Sequence, residues 1–326
     1  DANTTGSNNT SLGSQALGGN TTASNNTAIG KNSLRANTTG TNNVAVGTSS
    51  LESNIGGANN TAHGSYALRC NTTADGNVSV GYSSLTLNTT GGNNTAVGCA
   101  ALCSNTTQSN NTAIGFNALF NSNASNNTAV GRDSLKNNTS GTSNVGMGKC
   151  GLCANTTGTE NTALGIQAMH YGTTGSYNTA LGACTLGASD VNTGDSNIAI
   201  GRKAMFDNTS GAKNVGVGSS ALESNTTACC NTAVGHVAMQ LNTTGPNNTA
   251  LGFCSLRGNT TGASNTAIGH NAMYEGTTTG DFNTMVGVSS GRKMTSGTQN
   301  TASGVNAMEL NTTGAGNVAM GMSALA

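Results

Sequence analysis

Nine cysteines and four histidines are the residues of this chain best suited to chemistry, and their spacing decides how much chemistry they can do. The cysteines are Cys70, Cys99, Cys103, Cys150, Cys153, Cys184, Cys229, Cys230 and Cys254. Cys150-Gly-Leu-Cys153 has the two-residue gap of metal and redox motifs, but structural zinc takes four ligands and no second cysteine pair accompanies it in sequence. Free thiols and small filler residues are the expectation, with Cys99 and Cys103 close enough in sequence to pair. The histidines, among them His63, His236 and His270, form no catalytic set, and the acidic residues show no pair at a repeated spacing for acid and base roles. No Gly-x-Ser-x-Gly nucleophile elbow appears together with its histidine and acid partners, and no glycine-rich loop opens a helix to cradle a phosphate. These absences predict a protein that is not an enzyme and needs no metal or cofactor.

Composition excludes further classes. Aromatic residues are 3% and charged residues 7% of 326, Trp is absent, and 47 glycines stand against one proline. Twelve basic residues balance twelve acidic ones, so the chain lacks the positive field that nucleic acid or an anionic membrane surface requires. No run of 18 apolar residues is present, which predicts a chain that neither spans nor anchors in a bilayer. Because it opens at Asp1 within what reads as the end of one repeat, it is expected to be a mature or excised piece.

The elements that must position these residues follow from an internal repeat. A glycine preceded by Asn-Thr/Val-Ala-Val/Ile/Leu recurs nineteen times, from Gly13 and Gly30 to Gly304 and Gly321. Fifteen of the eighteen intervals are 17 residues; the others are 16, 18 and 19. Counting from the glycine, position −4 is Asn in all nineteen copies, and position +4 is Leu or Met in eighteen, with Gly291 the exception. Position −1 is aliphatic or Met except at His63 and Ser303, position +3 is small, and most units close with Asn-Thr-Thr-Gly or a near relative, as at residues 37–40.

Seventeen residues are too few for a helical-hairpin repeat of about 33 residues. The alternation Asn-Thr-Ala-Val-Gly has the period of a short strand, and a second extended segment is expected to carry the small residue and the Leu/Met. The chain is therefore expected to be all-β: residues 1–326 as a single parallel β-solenoid, or β-roll, of about nineteen 17-residue rungs. At a strand spacing of about 4.8 Å its eighteen steps would make a rod of roughly 86 Å. Stacking predicts an asparagine ladder at position −4, and a thin core of Leu/Met and Val/Ile columns. His63 would then replace a core residue, and His236 and His270 would share an exposed column two rungs apart. Ala28, Ala45, Ala96 and Ala113 would lie opposite the core, free to meet a partner chain, so that the roll associates in parallel as a homo-oligomer, a trimer by expectation.

Units such as Asn26-Thr-Ala-Ile-Gly-Lys-Asn-Ser-Leu34 and Asn94-Thr-Ala-Val-Gly-Cys-Ala-Ala-Leu102 resemble the head repeats of trimeric autotransporter adhesins and similar repeats of phage and algal-virus fibre proteins. The resemblance covers essentially the whole chain, although adhesin head units are commonly shorter and lack the added Asn-Thr-Thr-Gly turn. It implies a left-handed roll, three rolls side by side, and an extracellular fibre or adhesin on a virion or cell surface. That family's stalk, anchor and terminal domain have no counterpart in this sequence, so its mode of attachment is not carried over.

Recognition would fall to the variable columns just after the glycine, where Lys31, Arg35, Tyr82, Phe116, Phe120, Arg132, Phe253 and Tyr274 interrupt an Asn/Thr/Gly surface. A host glycan or cell-surface protein is the partner such residues suit. Asn-x-Ser/Thr sequons recur as a by-product of the repeat; of these, the turn residues Asn37, Asn88 and Asn242 are expected to be the accessible glycosylation sites. Two further readings stand beside the fibre: an ice-binding solenoid, from ranks such as Thr38/Thr39, Thr72/Thr73 and Thr89/Thr90, and a passive coat or matrix filament.

Overall fold

A computed structural model of the chain describes residues 3–187 and 192–326. Its nineteen strands have three residues each, and no helix occurs among the described residues. The chain divides into two units, residues 1–160 and 161–326. The first holds nine strands, β1 (Thr10–Leu12) through β9 (Val145–Met147), and the second ten, β10 (Thr162–Leu164) through β19 (Val318–Met320). Within each unit every strand pairs in parallel with the next in sequence. Between β2 (Thr27–Ile29) and β3 (Val44–Val46), for instance, Thr27 faces Val44, Ala28 faces Ala45 and Ile29 faces Val46. One repeat is thus one turn of a parallel β-solenoid. The longest interval, Gly182 to Gly201, includes residues 188–191, which lie outside the described residues, as does Asp1.

The structure reverses the expected sides of the strand. Ala28, Ala45, Ala96 and Ala113 are fully buried, whereas the −1 column faces outward, with Ile114 40% and Leu251 47% exposed. His63 is exposed, so it replaces no core residue. The reason is the width of the coil. Each rung places one long side chain inside it, the Leu or Met at +4, and only a small side chain, Ala in most rungs and Ser79 in one, fits opposite. Where β13 (Val215–Val217) has Gly216 in place of Ala, an added Cβ would sit 3.1 Å from Met205 Cε. The rung of β17 (Thr284–Val286) shows the compensation openly: Met285 takes the alanine position, position +4 becomes Gly291, and a Cβ there would sit 2.8 Å from Met285 Sδ. One long side chain per rung is retained, contributed from the other wall.

The expected second extended segment is a run of turns. Positions +2 and +4 have positive φ throughout, as at Asn32 (58°) and Leu34 (49°) or Ala100 (56°) and Leu102 (51°). That conformation costs roughly 1–2 kcal/mol for an ordinary residue, and full burial of the leucine contributes a comparable or larger amount, roughly 1.5–3 kcal/mol. Branching at Cβ makes positive φ worse, which explains why Val and Ile occupy the strand column and never +4. The turns stay stacked through backbone bonds between rungs, such as Leu34 N–H to Ser50 O at 3.0 Å and Ser49 N–H to Lys31 O at 2.9 Å. The repeat glycine cannot be replaced: Gly30 has φ +128°, and a Cβ on it would lie 2.6 Å from the carbonyl oxygen of Gly47.

Candidate functional site

The repeating polar groups are engaged within the protein. At −4 the asparagine amide oxygens accept from the backbone of the next copy, as Asn26 Oδ1 does from Asn43 N–H at 2.9 Å, while Asn26 Nδ2 donates to Gly40 O at 2.9 Å. This is the expected ladder. A second one, not anticipated, runs along +7. Asn54 Nδ2 donates to Asn37 Oδ1 and Asn71 Nδ2 to Asn54 Oδ1, both at 2.8 Å, and each Nδ2 also donates to a turn carbonyl of its own rung.

That second ladder removes the expected glycosylation sites. Asn37, Asn88 and Asn242 are all fully buried within it. Their Nδ2 atoms, where a glycan would be attached, donate to Asn20, Asn71 and Asn225 Oδ1. The signal was present in the sequence: position +7 is Asn in thirteen of the eighteen copies that reach it, which an exposed turn would not require.

The ladder has breaks. Beside the 16-residue interval, position +7 is Ser122, and Asn105 Oδ1 is left without a donor; beside the 18-residue interval Asn259 is followed in register by Thr278, and Asn259 Oδ1 is likewise unpartnered; Asn155 Oδ1 is unpartnered too, although its own interval is a regular 17 residues. The threonine pairs are also divided. The first hydroxyl donates to the next rung, Thr38 Oγ1 to Ile55 O at 3.1 Å and Thr72 Oγ1 to Thr89 O at 3.1 Å, and only the second threonine is exposed.

What remains for recognition is the variable columns. Lys31, Arg35, Tyr82, Phe116, Arg132 and Phe253 are exposed, and Phe120 and Tyr274 are half-buried. They form no single site, but the rung spacing brings some into contact with neighbours. Tyr82 packs edge-on against Tyr66 at 5.9 Å. The Arg132 guanidinium lies 5.8 Å from the Phe116 ring, and Arg35 pairs with Glu52 at 3.1 Å. Phe253 is stacked between His236 and His270, 5.3 Å from each, so the two histidines expected to share a column do so with an aromatic ring between them. The sequence reading omitted Asp133. Burial alone would raise its carboxyl, but hydrogen bonds from Asn117, Lys136 and Arg132 outweigh burial and hold it below the usual carboxylate range.

All nine cysteines carry free thiols. Burial, with Cys150 beside it, pushes the Cys153 thiol up to about 11, and burial also raises Cys103 next to Cys99. These are protonated, poorly nucleophilic thiols at neutral pH. A depression of about 240 Å³ in the second unit is lined by Gln167, His170, Tyr171, Cys184 and Phe206, and burial lowers the His170 imidazole. No helix among the described residues is long and apolar enough to cross a membrane. Compared with protein-family models, with curated proteins and with solved structures, the chain matches none.

Proposed function

We propose that this chain is a non-enzymatic structural segment of an extracellular fibre or adhesin, displayed on a virion or cell surface and holding its variable columns out for attachment. The observation that carries this reading is the commitment of the repeating polar groups to ladders: both asparagine columns and the first turn threonine are hydrogen-bonded inside the stack. Catalysis needs polar groups converging on a reacting atom, whereas these are arranged to repeat.

Parallel self-association, as a trimer, is part of the same proposal, and its support moves from the alanine column to the outward strand face. Positions −3 and −1 carry no Asp, Glu, Lys or Arg in any of the nineteen copies. That leaves two neighbouring columns of Thr, Val, Ile and Leu facing outward, the kind of uncharged face that a partner covers. The test is whether the purified chain, immobilised on beads, retains cells or glycans, and whether mass spectrometry of virion and cell-surface fractions contains its peptides. Retention with surface localisation supports the reading; a chain found only as an inert layer identifies the coat or matrix filament instead.

One observation favours the ice-binding reading. Thirteen of the nineteen −3 positions are Thr, and they lie in register on the uncharged face. Thermal hysteresis measured on the full chain decides it; freezing behaviour equal to that of buffer removes it.

A further inference from the structure

The uniform surface of the second unit is interrupted by a depression of about 340 Å³ on the +5 and +6 columns. Its origin is a gap in one column. Position +6 carries Leu241 on one rung and Glu275 two rungs later, while the intervening rung has Gly258, which presents no side chain there. Position +7 beyond it is Gly276 where most rungs have Asn, within the 18-residue interval, and Gly276 and Thr277 stand exposed at the rim. The volume lies at the small end of ligand pockets, about 300–1,000 Å³.

The side chains around this gap are held in place. Arg257 Nε donates to Gln240 Oε1 at 3.0 Å, and Gln240 Nε2 donates to Glu223 Oε2 at 2.9 Å, so a relay across three rungs fixes the guanidinium. It lies 5.7 Å from the centre of the Tyr274 ring. Among the described residues its terminal nitrogens have no hydrogen-bond partner, which leaves them available as a fork. Across the depression Glu275 pairs with Arg292 at 3.5 Å, and Arg292 pairs in turn with Glu309 at 3.3 Å, so the Glu275 carboxylate is offset by a cation other than Arg257. Leu241 adds an exposed apolar flank and Thr277 a hydroxyl.

We propose that this depression binds one carboxylated pyranose, a uronic acid unit of an acidic polysaccharide. The carboxylate pairs with the terminal nitrogens of Arg257, the geometry in which guanidinium and carboxylate bind most strongly. The apolar ring face rests on Leu241 and the edge of Tyr274, and the sugar hydroxyls meet the Glu275 carboxylate and the Thr277 hydroxyl. A neutral sugar satisfies only the second half of this set, and a small anion only the first.

This rests on the attachment reading, and the two can fail separately. The experiment is titration of the full chain with tetragalacturonate and, in parallel, with neutral cellotetraose, read by calorimetry and by saturation-transfer NMR. Saturable binding of tetragalacturonate alone is expected. Arg257→Ala should weaken it by about ten-fold or more, as expected for loss of a charge-assisted pair. Arg69→Ala, a change in the same column at a rung without the gap, should leave it unchanged. Should Arg257→Ala lose its circular dichroism spectrum, Thr277→Glu gives the same expected loss by repulsion from the exposed rim. No saturable binding, equal weakening by both arginine variants, or equal binding of cellotetraose overturns the site. A chain that adheres to cells yet ignores tetragalacturonate overturns this site alone; one that binds tetragalacturonate without adhering overturns the attachment reading and leaves the site in place.

Discussion

At the residue scale, the buried asparagines matter because each is donor and acceptor at once. Asn71 Nδ2 donates to Asn54 Oδ1 and to Ala74 O, and its own Oδ1 accepts from Asn88. Asn71→Asp keeps the shape but points a carboxylate at two oxygens, so about 3–5 kcal/mol of stability should be lost, as for an uncompensated buried charge. Thr73→Ala, on the exposed neighbour, should change stability by less than ~0.5 kcal/mol. Denaturant melts of the two variants measure the difference, and equal effects would mean that the +7 column is not a ladder. Asp133 gives a pH signature of opposite origin. Its folded-state pKa is depressed, so its contribution is fully present above the ordinary carboxylate value of about 3.9 and is lost as pH falls through the lower folded value. The gap in melting temperature between the wild type and Asp133→Asn should therefore be widest at pH 5–7 and close below about pH 4. A gap independent of pH would show that the carboxylate charge contributes nothing.

At the scale of one rung, the controlling quantity is the volume inside the coil. Met285 and Gly291 exchange the usual roles of −2 and +4, which predicts strong coupling between them. Gly291→Leu alone forces a second long side chain into an occupied space, and Met285→Ala alone empties it, so each should destabilise by about 1–3 kcal/mol or more. Together they rebuild the Ala-and-Leu rung found elsewhere, and the double variant should be close to the wild type. A double-mutant cycle on melting free energies measures this; additive losses would show that the two sites do not share one space.

At the scale of the whole molecule, the proposed self-association places the outward strand face against other copies. Ile114 is exposed on an uncharged surface, so Ile114→Lys should leave the chain's own melting temperature nearly unchanged. The same lysine, repeated in every copy, places like charges inside the proposed interface and should shift the chain from oligomer toward monomer in light scattering at micromolar concentration. A wild-type chain that is already monomeric would remove the association proposal and leave the fold untouched.

The sequence alone determined the period, the parallel stacking, the glycine that tolerates no side chain and the −4 ladder, because each depends on identical residues meeting at every turn. Residues such as Asn26, Gly30 and Leu34 could be placed without coordinates. It did not determine which strand face lies inside. A three-residue Thr-Ala-Val strand alternates equally well in either sense, and hydrophobicity favours burying the valine. Only the closed coil settles the choice, since Leu34 in its left-handed turn already fills the interior and leaves room for the methyl of Ala28 alone. The same closure buries Asn37, which a local reading of Asn-Thr-Thr-Gly places on an exposed turn, and opens the gap at Gly258, because both depend on what the neighbouring rungs contribute.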